Sequence, residues 1–138
     1  LAIHGLPYDE SLVVIEPRGF REDGAAAARA LLARPDRPTA IFTASDNRAL
    51  GAIEAAQEMG IAVPAALSVV GFDDTEESQA ASPPLTTVHN PLYETGMETV
   101  RMLHHQLASG EVNPQVRVVP MRLVIRGSSS APATRQEG

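Results

Sequence analysis

Short apolar runs alternate with longer segments of helical period over the first half of the chain. Ser11 to Pro17, "SLVVIEP", is a short apolar run closed by proline, which predicts a buried strand. The alanine- and leucine-rich stretch from about Gly24 to Arg34 predicts a helix, stopped by Pro35 and Pro38. Thr39 to Ser45, "TAIFTAS", predicts a second strand. In "DNRALGAIEAAQEMG", which follows, Ala49, Leu50, Ile53, Ala56 and Met59 fall on one helical face. Ser45 or Asp46 can cap this helix, and Gly60 suits the left-handed position after its end, with Ile61 as the apolar residue beyond. Leu67 to Phe72, "LSVVGF", is a third strand after a turn at Pro64. Continuous apolar strands separated by helices predict an α/β fold with a parallel sheet flanked by helices on both faces.

After Phe72 the pattern changes. "TEESQAASPP" reads as a polar loop and "LTTV" as a short extended piece. Asn90 and Pro91 form an N-cap and first-turn pair for a long helix starting at Leu92. Leu92, Gly96, Val100, Leu103 and Leu107 lie on one stripe of that helix, and Gly110 ends it. "VRVVPMRLVIRG" predicts one or two last strands, and "SSSAPATRQEG" has the composition of a disordered tail.

In open parallel sheets, ligands bind beyond the carboxyl ends of the strands. The first predicted strand delivers Glu16, Arg18 and Phe20 to that edge. The second delivers Ser45, Asp46 and Asn47, and the third Asp73 and Asp74. Carboxylates, an amide and hydroxyls can exchange hydrogen bonds with a polyhydroxylated ligand, and an aromatic ring can cover the apolar side of a sugar or base. On this reading Asp73 is a ligand-binding carboxylate. An acid after a strand is also a common turn former or helix cap, which is the more frequent role for Asp74 and Asp46 and an even alternative for Asp73.

Charge removes one class of partner. The net charge is −6, all eleven basic residues are arginines, and they form no cluster. A nucleic-acid-binding domain normally shows a basic face, so the chain by itself is expected not to bind DNA or RNA. The chain has no cysteine, so it forms no disulfide and does no thiol chemistry. No run of 18 apolar residues predicts a membrane span, and "LAIHGLPYDE" lacks the pattern of a signal peptide. His104 and His105 are adjacent on a helix, about 100° apart, and cannot share a metal. His4 and His89 are isolated, with a supporting role near the ligand open to His89. A length of 138 residues suits one modest domain.

"SVVGFDD", "PPLTTV" and a helix opening "NPLYETG", taken together, resemble the effector-binding region of the lactose-repressor (LacI/GalR) family of bacterial transcription regulators. The likeness runs from about Leu1 to Pro120. It implies two periplasmic-binding-protein-like (type I) α/β subdomains behind a helix-turn-helix. Residues 1–88 would be the C-terminal subdomain, and 89–120 a crossover helix and strand that pack on the N-terminal subdomain. Residues 121–127 would be the final strand and 128–138 the tail. The helix-turn-helix, most of the first subdomain, and a strand and helix with an effector-contacting arginine would precede Leu1.

Carried over by resemblance, Asp73 holds effector hydroxyls or ring nitrogens and Phe20 stacks on the effector. Leu92 touches it from the other subdomain. Ser45 stands where the family often has an effector-contacting asparagine, and Asp46 caps the next helix. The helix from Ala49 to Met59 and the segment after Asp74 resemble dimer contacts. The function implied is that of a cytoplasmic, homodimeric, sugar-responsive regulator with no cofactor, metal, catalytic activity or membrane association. It would reach operator DNA only through the helix-turn-helix. Two rivals share parts of the pattern: an exported sugar-binding protein of a transporter, and an enzyme holding a divalent metal through Asp73, Asp74 and Glu16.

Overall fold

The two alanine-rich segments are helical and cross each other closely. The computed structural model describes residues 2–5, 7–15, 18–110 and 115–131. Helix α1 is Arg21–Leu32 and α2 is Asp46–Glu58. A Cβ on Gly24 would lie 2.3 Å from the Arg48 carbonyl oxygen, and one on Gly51 would lie 2.0 Å from that of Arg21. Glycine within a helix costs roughly 1 kcal/mol against alanine. Here it lets the two backbones approach, and Ala25, Ala28, Ala49, Ala52 and Ile53 are buried around the crossing. The α2 terminus forms as predicted. Gly60 has φ +70°, and the Ile61 and Gly60 amides donate to Ala56 O (2.8 Å) and Gln57 O (3.0 Å).

The sheet has four strands in sequential order: β1 Ala40–Phe42, β2 Ser68–Asp73, β3 Thr86–His89 and β4 Arg122–Val124. The first three are parallel, with Phe42 beside Val70 and Phe72 beside Val88. Strand β4 runs antiparallel to β3, with Arg122 opposite His89, so the sheet is mixed and not wholly parallel. The reason lies in α4, Leu92–Ser109, which has no buried residue. It does not pack back over the sheet as a parallel crossover helix would, and the chain re-enters the sheet in the opposite direction. On α2's side of the sheet, Ile41, Val69 and Leu85 are buried in the core with Leu67. Phe42, on the opposite side, is 66% exposed.

Besides the mixed sheet, the segment that reads as a polar loop after Phe72 contains a short helix, α3, Glu76–Ala80, capped by Thr75, and three more expectations fail within the described residues. The run at 11–17 is not a strand: Glu10–Leu12 is a 3-10 turn, and Val13 to Ile15 are exposed. Val13 has extended backbone (φ −102°, ψ 119°), but extended residues make a strand only with a ladder partner. Leu12, Val13 and Val14 line a cavity of about 500 Å³ together with Ala40, Ile41 and Phe42.

Second, Asn90 does not cap α4. The cap position is Pro91, without a side-chain bond, because the Asn90 amide is turned toward Asp73.

Third, the serine run is no loose tail. Ser128 is fully buried; its Oγ donates to Val69 O (2.6 Å) and accepts from the Thr86 amide (2.8 Å). The Val69 amide donates to Ser128 O (2.8 Å), and the Ser130 amide to Ser68 Oγ (3.1 Å). The β2–β3 ladder begins at Val70 and Thr86, so Ser128 satisfies the backbone groups left just before it. Residues 132–138 lie outside the described residues.

Candidate functional site

Parallel strands β1, β2 and β3 end at one edge, and the candidate residues follow from there. The Thr43 amide donates to Val70 O (2.9 Å), which carries the β1 exit alongside β2. Two residues on, Ser45 caps α2: its Oγ accepts from the Arg48 amide at 3.5 Å, and its carbonyl accepts from Thr43 Oγ1 at 2.8 Å. The hydroxyl predicted to meet a ligand thus also serves the first turn of α2.

Asp46 is not the cap. As the first residue of α2 it is fully buried. Oδ2 accepts from the Thr75 amide (2.8 Å) and Thr75 Oγ1 (3.2 Å), and Oδ1 accepts from Thr87 Oγ1 (2.5 Å). A buried carboxylate needs such partners, and the positive end of the α2 dipole favours it further. Gly71 makes room, since a Cβ there would lie 2.3 Å from Asp46 Oδ1. Asp46 therefore ties α2 to β3 and to the turn after β2.

Asp73 and Asp74 both have left-handed backbone, with φ +121° and +64°. Each such non-glycine residue stores about 1–3 kcal/mol of strain, a pattern that clusters at ligand sites. Asp73, the last residue of β2, is partly exposed, and its Oδ1 accepts a long bond from Asn90 Nδ2 (3.5 Å). Asp74 is oriented differently. Its side chain is 7% exposed, ion-paired with Arg126, and 2.9 Å from His89 Nδ1. Burial pushes its carboxyl up, but hydrogen bonds from Arg126 and His89, with the Arg126 charge, outweigh burial and hold it below the ordinary carboxylate value. The Asp74 side chain thus anchors the turn that follows β2.

The structure brings Asp73, His89 and Asn90 together at neighbouring strand ends, with Leu92 two residues further along the crossover. Leu92 is 64% exposed, and its amide donates to Asn90 O (2.8 Å). Phe20 is placed at the start of α1, 58% exposed, with its amide held by Asp23 Oδ2 (3.0 Å). Its neighbour Gly19 lies close to the Arg48 guanidinium. Arg18 is turned to Asp23 (3.3 Å) and is largely exposed. Glu16 lies outside the described residues. The sequence reading missed Arg126; its only signal is a basic residue closing the apolar run "LVI".

Helix α2, which resembles a dimer contact in sequence, buries its apolar face within the chain, and Glu54 and Glu58 on its flank pair with Arg21 and Arg29 of α1. Among the described residues, no group of three or more His, Asp or Glu side chains is placed to hold a metal. No helix there is long and apolar enough to cross a membrane.

Comparison with known proteins agrees with this geometry. The family of periplasmic binding protein-like domains matches residues 2–129. The HTH-type transcriptional repressor CytR of Escherichia coli (strain K12) is 42% identical over 110 residues, 80% of this chain and 32% of that protein. The transcriptional regulator CelR in complex with cellobiose superposes with TM-score 0.84 at 34% identity, covering 93% of this chain and 39% of that one. The dimeric Lac repressor with an 11-residue carboxy-terminal deletion gives TM-score 0.75 at 37% identity, over 83% of this chain and 42% of that one. The chain spans about a third of the length of the curated relatives it matches. These relatives are transcriptional regulators, which does not favour the transporter alternative.

Proposed function

The chain belongs to the periplasmic binding protein-like family, in the form carried by LacI-type transcriptional regulators, and from that premise we propose that it is the effector-binding region of a cytoplasmic DNA-binding regulator. The observation that carries the reading is Asp73: a partly exposed carboxylate on strained left-handed backbone, at the carboxyl ends of parallel strands, with Asn90 beside it. The effector is a small polyhydroxylated molecule, a sugar or related compound. Asp73 accepts its hydroxyls or ring N–H groups, Phe20 covers an apolar face, Ser45 supplies a further polar contact, and Leu92 closes from the crossover side. The region works without cofactor or catalysis. The intact protein is a homodimer that meets operator DNA through a helix-turn-helix outside this chain. Effector binding changes DNA affinity because the two domain arrangements bind the effector unequally.

A thermal-shift screen of the intact regulator against sugars, sugar phosphates and purines tests this. A ligand at 100 times its dissociation constant adds about 2.7 kcal/mol. Asp73→Ala should weaken the binding of any hit about tenfold or more, since charge-assisted bonds contribute roughly 1.5–3 kcal/mol. Unchanged affinity in a folded Asp73→Ala protein would remove Asp73 from the site.

A further inference from the structure

Consecutive non-glycine residues with φ +121° and +64° persist only where their surroundings over-determine the backbone. Asp73 supplies little of that determination, since its side chain makes one long bond, to Asn90 at 3.5 Å. Asp74 supplies more. One carboxylate oxygen takes the Arg126 guanidinium and the other lies 2.9 Å from His89 Nδ1. Arg126 is itself fixed from several sides. It donates to Leu85 O (2.8 Å) and to Ser78 Oγ of α3, Glu76–Ala80, at 3.4 Å, and its amide donates to Thr86 Oγ1 (2.9 Å). A planar guanidinium held at this many points has little freedom, so the carboxylate it grips has little as well. His89 is the ladder partner of Asp73, and Asn90, the residue touching Asp73, comes next in the chain.

We propose that Asp74, clamped between Arg126 and His89, is the positioning residue of the effector mouth: it sets the backbone at the end of β2 and thereby aims the Asp73 carboxylate. The segment after β4 then governs effector affinity without touching the effector. This rests on the reading of Asp73 as the effector-binding carboxylate.

The test uses the intact regulator in wild-type, Arg126→Gln and Arg126→Lys forms. Lysine keeps the charge but loses the fork, and it carries the test if the glutamine protein does not fold. Without ligand, hydrogen exchange is followed by mass spectrometry. Exchange in peptides covering 72–75 and 89–90 is expected to quicken while peptides of α2 keep their wild-type rate. Unchanged exchange at 72–75, or an equal rise everywhere, would overturn the positioning role. With ligand, calorimetry uses cellobiose, ribose and adenosine as titrants. A probe that binds wild type should bind both variants about tenfold more weakly, the loss expected when one charge-assisted contact is misaimed. Unchanged affinity would overturn the proposal. If exchange behaves as expected and no probe binds the wild-type protein, the effector reading fails and the clamp stands only as a determinant of backbone shape.

Discussion

Asp74 and Arg126 are 52 residues apart in the chain and form a nearly buried ion pair that joins the end of β2 to the segment after β4. The pair separates two acids that look equivalent in sequence. Asp74 faces inward to arginine and histidine, whereas Asp73 keeps one long bond and a partly open carboxylate.

The pair makes stability acid-sensitive. The folded state holds the Asp74 carboxyl below its ordinary value, and an unfolded aspartate titrates near pH 3.9. Its contribution is therefore present above about pH 4 and is lost as pH falls through the folded value. Arg126→Gln removes the main lowering influence and leaves burial, which acts the other way. The acid-unfolding midpoint, followed by circular dichroism, should move to higher pH in that variant. An unmoved midpoint would show that the pair contributes nothing.

Gly71→Ala should destabilise by about 1–3 kcal/mol, the usual cost of overpacking. Its methyl group would meet Asp46 Oδ1 at 2.3 Å and Leu85 Cδ2 at 2.9 Å. Because the clash is mutual, combining it with Asp46→Ala should cost less than the two single losses added. Urea denaturation of the three variants reads this directly. Strict additivity would mean that Asp46 and Gly71 do not share that space.

The chain expressed alone should self-associate. Val100, Leu103 and Leu107 of α4 are each more than half exposed, as is Phe42 at the sheet edge. Exposed apolar side chains on one stripe of a helix are a common mark of an interface. Light scattering at tens of micromolar is expected to show species larger than one chain, and Leu103→Glu with Leu107→Glu should shrink them. A clean monomer before substitution would contradict this.

Duplex DNA should not bind the isolated chain at physiological salt, given its net charge of −6 and scattered arginines. A gel shift at low-micromolar protein with steep salt dependence would contradict that expectation.

Helix α2 was legible because its signals are local: Ser45 before it, Gly60 and Ile61 after it, and one apolar face between. The placement of Asp73 at the carboxyl end of β2 was legible from strand polarity. What escaped depends on distant partners. Asp46 looks like a cap until Thr75 and Thr87, 29 and 41 residues away, fold against it. "SLVVI" has the composition of a strand, but composition cannot provide the neighbour that a ladder requires. The run Ser128 to Ser130 has the look of a linker, and only the start of the β2–β3 ladder gives its hydroxyls and amides work.

That serine stitch fixes where the polypeptide tolerates engineering. A stop codon ahead of Ser128 would leave the Val69 amide, Val69 carbonyl and Thr86 amide without partners in a buried place, at roughly 1–3 kcal/mol each. Affinity tags, fluorescent fusions and proteolytic trimming sites therefore belong after Ala131, where they spare the bonds that seal the bottom of the sheet.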